Sequence, residues 1–401
     1  MERIDIKDIG GGVNQSGIRD HNARLVLSMI QRHGQLPGID IARRAGLSPQ
    51  TASVILRSLE SDGFLLRGEP VRGRVGKPSI PMGLKPDGVY SVGMKIGRRS
   101  LDLLLVDFLG NICLQVDTTY KYPDPKTVFS FLENGLVQFQ EYLGAERFAR
   151  VCGIGIASPF QLWNWHETLG VDEAEIARWR DISFAAEIAK FSDLPVLVEN
   201  DATAACRAEH VFGQGKELTD FAYFFIGSFI GGGIVLNHSV YEGRSGNAGS
   251  FGSIPTGGPT AKGSQLIDNA SLHLLEDMLN RAGIDAKRLW AAPQDWTGFP
   301  DILADWIDHT SVQLARAIVS VCAVIDFEAV IIDGGFPSTI RQTLVEQVRD
   351  RIKREDSRGI MLPIIKPGLV GRNARAIGAA CGPIFSMYLL NTMGGRFQPA
   401  D

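Results

Sequence analysis

"YSVGMKIGRRS", residues 90–100, reads as a strand, a tight glycine turn and the start of a second strand. Nucleotide-gripping folds use such a hairpin, with an acidic residue at its tip and small residues beside it. Here the tip carries Lys95, Arg98 and Arg99. Working outward, the strands are expected at 89–96, 101–107 and 111–119, then a helix near 125–143 and the strand "VCGIGIAS" (151–158). A helix near 183–191 leads to the strand "PVLVE" (195–199) and the helix "DATAACRAEHVF" (201–212). The strand "FAYFFIG" (221–227) and the hairpin "GGGIVLNHSVYEG" (231–243) follow. Beyond residue 264 lie several helices, the strand "EAVIIDGG" (328–335), a helix near 338–353, a strand near 361–365 and the helix "NARAIGAACGPIFSMYLL" (373–390). Three consecutive strands followed by alternating units, given twice, imply two related α/β lobes with a cleft between them. Ligands of such folds sit at the cleft, near the strand ends.

The 401 residues are 44% hydrophobic and 21% charged, an ordinary globular composition long enough for two or three domains. No apolar run reaches membrane-span length and the start "MERIDIKD" is charged, so a soluble cytoplasmic protein without a membrane partner is expected. The five cysteines are far apart, with no C-x-x-C pair, which points to neither a zinc knuckle nor a disulfide framework. Charge is uneven. Residues 1–85 hold 13 Lys/Arg against 8 Asp/Glu, and the remainder 28 against 37, so a segment of +5 precedes a body of −9. A small basic segment on an acidic body suits an anionic partner for the first part.

That first part has a pattern of its own. Leu25, Met29 and Ile30 recur at helical spacing, and Gly34 closes that helix. "IDIARRAGLS" (39–48) is a second short helix, with Gly46 supplying a sharp turn. Ser48 caps a third helix that has Pro49 at its first position. Ala52, Ile55, Leu56 and Leu59 form one apolar stripe of that helix, and Gln50, Ser53, Val54 and Arg57 the opposite one. A helix packed by one stripe and showing short polar side chains on the other suits the major groove of DNA. The DNA-facing set expected is Ser48, Gln50, Thr51, Ser53, Val54 and Arg57, with Arg74 and Lys77 on the basic turn that follows. "GFLLRGEPVRGRVGKPSIPMGL" (63–84) reads as two strands around that turn, a wing. Its "RGRVGKP" (72–78) is either a hook for the narrow minor groove of A·T-rich DNA or a solvated basic linker.

The whole chain resembles the ROK family of repressors, open reading frames and sugar kinases. The resemblance rests on "NQSGIRDHNARLVLSMI" (14–30), "GIGIAS", "LPVLVENDATAA" (194–205), "FIGGGIVLNHSVYEGRSGNAG" (229–249), "AVIIDGG" and "ARAIGAA", in order. It implies an N-terminal winged helix-turn-helix followed by a two-lobed, actin-like sugar-kinase body of ribonuclease H-like lobes. The domains expected are 1–85, with the wing and linker, and 86–401, a sensor and oligomerisation body. Lobe 1 covers about 86–200 plus the C-terminal helix, and lobe 2 about 201–372.

Departures from the family pattern decide the functional expectation. Family kinases carry Asp-x-Gly-Gly-Thr where this chain has "KIGRR" (95–99). The acidic group would help hold the nucleotide's magnesium, which a lysine cannot do. An arginine in place of the second glycine obstructs the approach of backbone to phosphate. A counter-reading gives Lys95 and Arg98 an anion to bind directly, such as a sugar phosphate. The zinc-binding His of many relatives is Ser253 here, and no cysteine lies between Cys206 and Cys322, so no metal and no cofactor is expected. A sugar-binding Glu of relatives is Ser250. The resemblance implies that Asp201 and Asn200 recognise sugar hydroxyls; helix capping is the simpler alternative. Asn247, Ser250 and Ser253 complete the expected ligand set. Trp163, Trp165 and His166 are candidates for a lid or for subunit packing, and His238 and His273 read as structural. The expectation is a DNA-binding regulator, a repressor of carbohydrate uptake or catabolism genes, not an enzyme. Its partners would be operator duplex DNA, a sugar or polyol effector and further copies of itself, as a homodimer or homotetramer. An ATP-dependent sugar kinase, or a regulator whose input is a partner protein, are the alternatives.

Overall fold

The computed structural model describes residues 15–70, 80–164, 171–256, 265–291 and 294–390. Arg74, Lys77, Trp165 and His166 lie outside them, as does 257–264, part of the stretch where relatives bind zinc.

The N-terminal unit has three helices, α1 (Gln15–His33), α2 (Gly38–Ala45) and α3 (Pro49–Ser61). Its strands β1 (Leu36–Pro37), β2 (Leu65–Arg67) and β3 (Pro81–Leu84) form one antiparallel sheet, ordered β1-β3-β2. The β2–β3 pair is the expected wing; β1 was not legible, being two residues long. Gly46 ends α2 at φ 64, a left-handed turn that costs glycine no steric strain, and returns the chain into α3. Ala52, Ile55, Leu56 and Leu59 are buried as expected. The inner face of α1 needs correction: Val26, Leu27 and Ile30 are buried, while Leu25 and Met29 are only half-buried.

Lobe 1 contains β4 (Tyr90–Ile96), β5 (Ser100–Asp107), β6 (Ile112–Thr119), α4 (Pro125–Phe148), β7 (Val151–Ser158) and β8 (Val196–Asn200). Helix α5 (Asp201–Phe212) follows β8 directly. Lobe 2 contains β9 (Phe221–Ile226), β10 (Ile230–Leu236), β11 (Ser239–Tyr241), α6 (Leu272–Arg281), α7 (Pro300–Cys322), β12 (Ala329–Gly334), α8 (Ser338–Ile352) and β13 (Ile364–Pro367). The C-terminal helix α9 (Ala374–Tyr388) returns to lobe 1. The sheets run β6-β5-β4-β7-β8 and β11-β10-β9-β12-β13, so the same order occurs twice. In each, the first three strands pair antiparallel and the last two join parallel to the first. Among the described residues no helix is long and apolar enough to cross a membrane.

Small residues set how closely the central helices approach. A Cβ on Gly155 of β7 would fall 1.8 Å from the Ala379 carbonyl oxygen of α9. One on Gly378 of α9 would fall 1.7 Å from the Ala204 carbonyl oxygen of α5. No side chain fits there, so "GIGIAS" and "ARAIGAA" are packing motifs that bring α5 and α9 against the strand ends bordering the cleft.

The N-terminal unit shares one apolar core with the body. Val26, Ile30, Leu56 and Leu84 belong to the same cluster as Leu104 and Val106 of β5 and Ala380 and Ile384 of α9. Phe64, Phe108 and Tyr388 close it, with ring centroids 5.3 to 6.4 Å apart. Such aromatic pairs contribute roughly 0.5–1.5 kcal/mol each beyond area burial. A second contact reaches lobe 2, where the Arg32 guanidinium of α1 meets the imidazole of His238 in the β10–β11 turn. His238 also lies 3.0 Å from the Leu218 carbonyl.

Candidate functional site

Between the lobes lies a cavity of about 350 Å³. All five residues of the expected ligand set, Asn200, Asp201, Asn247, Ser250 and Ser253, line it. Asn200 caps α5: its Oδ1 accepts from the N–H groups of Ala202 (2.9 Å) and Thr203 (3.2 Å). The capping alternative therefore holds for Asn200, whose amide nitrogen is still available to a ligand. Asp201, the first residue of α5, does not stand open. Arg375 of α9 donates to its Oδ2 at 3.1 Å and lies over the Phe225 ring at 5.0 Å. Ser250 Oγ donates to the Asn247 carbonyl at 3.1 Å, which ties two of the polar positions together.

The 95–99 hairpin is filled by its own side chains. Lys95 is buried, and its Nζ lies 2.8 Å from Asp102 Oδ2 and 2.8 Å from Ser100 Oγ. Burial, and then the nearby Arg375, push its pKa down to about 8, while Asp102 pulls it back up. Burial works to raise the Asp102 carboxyl, but Lys95 outweighs it and holds the group below the ordinary range. An ammonium thus sits where family kinases place an acidic residue. The counter-reading that Lys95 binds an external anion is corrected here, since its charge is matched internally. Arg98 and Arg99 behave differently. Both reach across the cleft to Glu276 of α6, Arg98 at 3.3 Å. Phe229 and Trp290 back the two guanidiniums at 5.6 and 5.8 Å. His273 joins this cluster, 3.3 Å from Arg98 and 3.5 Å from Glu276.

Behind the cavity, buried Arg207 of α5 bridges Glu199 of β8 (3.0 Å) and Glu242 beyond β11 (2.9 Å). Burial pushes the Glu199 carboxyl up, against the pull of Arg207. The bridge pins α5 to both lobes. Trp163 packs half-buried against the lobe 1 core and does not line the cavity, which corrects the lid reading for that residue; Phe160 lines it instead. Glu276 and Arg375 were missed, because their partners stand far away in sequence; Arg372, which also lines the cavity, is marked by no local pattern.

On α3, the Ser48 Oγ accepts from the Thr51 N–H at 3.1 Å and shares a 2.8 Å hydrogen bond with the Thr51 hydroxyl. Gln50, Ser53, Val54 and Arg57 are exposed, Val54 by 46% of its surface. Arg57 lies along its helix, donating through Nε to the Ser53 carbonyl at 3.2 Å. An exposed apolar residue between short polar ones leaves a surface that admits close approach to a groove floor.

Comparison with known proteins agrees with both halves. Residues 19–65 match the winged helix-turn-helix DNA-binding model, and residues 91–265 the ROK family model. The chain is 25% identical to an uncharacterised protein of Sinorhizobium fredii, over 92% of this chain and 91% of that one. It is 24% identical to the xylose repressor of Bacillus subtilis, over 60% of this chain and 61% of the repressor. It is 23% identical to the N-acetylglucosamine repressor of Escherichia coli, over 61% and 60%. The match thus spans about three-fifths of either repressor's length. Among solved structures, a ROK family transcriptional regulator described as a homologue of the Escherichia coli MLC protein superposes with a TM-score of 0.68, at 23% identity, covering 92% of this chain and 97% of that one. A ROK family glucokinase from Streptomyces griseus gives 0.59, at 21% identity, over 73% and 98%. These likenesses show the fold of the body and of its attached head. Residues 19–65 are thus a winged helix-turn-helix DNA-binding unit and residues 91–265 a ROK-family domain.

Proposed function

We propose that this chain is a transcriptional repressor of carbohydrate uptake or catabolism genes. Its α3 reads operator duplex DNA, and a sugar, polyol or sugar derivative in the interlobe cleft shifts its affinity for that DNA. The observation that carries the reading is the shared core: the DNA-binding unit is built into lobe 1 and also touches lobe 2 through Arg32 and His238. A change in how the lobes sit then moves the head relative to one of them. A homodimer or homotetramer working in the cytoplasm fits this role, since two-fold symmetry presents two recognition helices to an inverted repeat. The named repressors among the relatives support the same reading.

The kinase alternative is disfavoured by chemistry. Lys95 stands where a magnesium-holding carboxylate is needed, and Arg375 engages the carboxylate of Asp201 that would take the sugar hydroxyl proton. The test has two arms. Selection from a random duplex pool by the purified chain should enrich an inverted repeat; a pool that stays random would overturn the DNA-binding reading. Magnesium-ATP with glucose, xylose and N-acetylglucosamine should release no ADP above blank, and turnover lost in Asp201→Asn would restore the kinase.

A further inference from the structure

The seam between the head and lobe 2 gathers positive charge. Arg32, near the end of α1, meets His238, and His238 lies 3.0 Å from the carbonyl of Leu218. Leu218 directly follows the short turn Gln214–Glu217 that joins α5 to β9. Lys216 of that turn is thereby set beside the end of α1, and it is exposed. From the head, exposed His33 and Arg44 complete the group. His33 records how close the others stand: burial first, and then Arg44, Arg32 and Lys216, hold its imidazole below the ordinary histidine value. Asp40 of α2 is held by Arg43 at 2.8 Å, and Asp220, beyond the turn, accepts from the Asn237 N–H at 2.8 Å. Glu217 is exposed and pairs with neither Arg44 nor Lys216. Among the described residues, Arg44 and Lys216 have no ion pair and no side-chain hydrogen bond. Residues 86–401 hold 28 Lys/Arg against 37 Asp/Glu, so an unpaired lysine facing the head runs against the charge of its own domain.

We propose that this seam is a second contact with duplex DNA: Lys216 of lobe 2 takes a backbone phosphate of the same duplex whose major groove holds α3, beside one taken by Arg44. The proposal rests on the reading of α3 as the DNA-reading helix and adds the body to the interface. Arg44 stands four residues before Ser48, the cap of α3, so it borders the groove that α3 enters. In helix-turn-helix units the first of the two helices lies across the backbone. The positive row then continues from Arg44 past His33 to Lys216, outside the head. Unpaired cations on flexible stems suit phosphates, which are met by charge and carry no base sequence. The contact also gives lobe movement a direct route to the DNA. A rotation of lobe 2 moves Lys216 relative to Arg44 and changes whether both phosphates are met at once.

The experiment measures binding of the full chain, across a series of salt concentrations, to the duplex it selects from a random pool and to an unrelated duplex of equal length. Lys216→Gln should lose about three-fold or more in affinity for both duplexes at low salt. It should also reduce the slope of log affinity against log salt by about 0.9 for each copy bound, and leave single-base preferences as in wild type. Arg44→Gln should behave in the same way, and Lys216→Glu should lose about ten-fold or more. Lys126→Gln is the control: Lys126 is an exposed, unpaired lysine on α4 of lobe 1, and its loss makes the same change in net charge. Its slope should match wild type. All three positions are exposed, so each variant should melt as wild type does. Affinity and slope equal to wild type in Lys216→Gln, or an equal fall in Lys126→Gln, would overturn the lobe 2 contact and leave the DNA binding of the head standing. A wild-type chain that retains neither duplex would overturn the DNA reading and this contact together.

Discussion

Asp201 and Lys95 show how little separates a phosphate-transferring site from a sensing one. Each is charged, and each has an internal partner: Arg375 for Asp201 and Asp102 for Lys95. Asp201→Ala should therefore weaken the response to a cleft ligand about ten-fold or more, as one half-buried charge-assisted contact is lost, while operator affinity stays within about two-fold. Operator titrations with and without ligand check this; a folded variant that no longer binds DNA would make Asp201 a structural residue. Lys95 makes a pH prediction. In the folded chain it loses its proton near pH 8, whereas an unperturbed lysine holds it to 10.5. Between those values the unfolded chain binds the extra proton, so stability rises with pH. Relative to Lys95→Met, the wild type should gain up to about 1.4 kcal/mol per pH unit across that window. Denaturant titrations of both proteins at several pH values measure the difference, and parallel curves would show that Lys95 is not buried as a charge. The sequence made the loss of the acidic residue plain at position 95. It could not show the partners, since Arg98 and Glu276 stand 178 residues apart and Arg375 and Asp201 174 apart. Ion pairs between lobes carry no local periodicity.

At the scale of elements, the strands and α3 were readable because burial imposes a period, two along a strand and 3.6 along a helix. The buried stripe of α3 was identified residue by residue. The face of α1 was misplaced by one position, because "ARLVLSMI" is apolar nearly all round and its packing partners decide which residues turn inward. Strand β1 escaped because two residues show no alternation. Two predictions belong here. Ser48→Ala removes the N-cap of α3 and should cost about 1 kcal/mol in thermal or chemical unfolding of the head. Gln50→Ala, on the exposed face, should leave stability unchanged and relax preference at one base position per half-site, at a cost of roughly 1–3 kcal/mol. Affinities for single-base operator variants read this out; an unchanged preference at every position would place the DNA-reading face elsewhere.

Across the whole molecule, the duplicated strand order makes two lobes, and the close-packed helices α5 and α9 join them. The head rests on lobe 1 through Phe64, Phe108 and Tyr388 and meets lobe 2 at His238. Arg32→Ala should thus keep the operator contacts of α3 but reduce the effect of a cleft ligand on DNA binding, by about two-fold or more in the coupling factor. A coupling factor equal to wild type would show that lobe 2 does not signal through α1. The most direct test of the central claim, that the cleft and the recognition helix are coupled, is a reciprocal titration. Operator affinity is measured with and without a saturating sugar or sugar phosphate that shifts the melting of wild type but not of Asp201→Ala, and the affinity for that compound with and without operator. The account predicts that each changes the other by the same factor, about five-fold or more. A compound that binds at Asp201 and leaves operator affinity unchanged would contradict it.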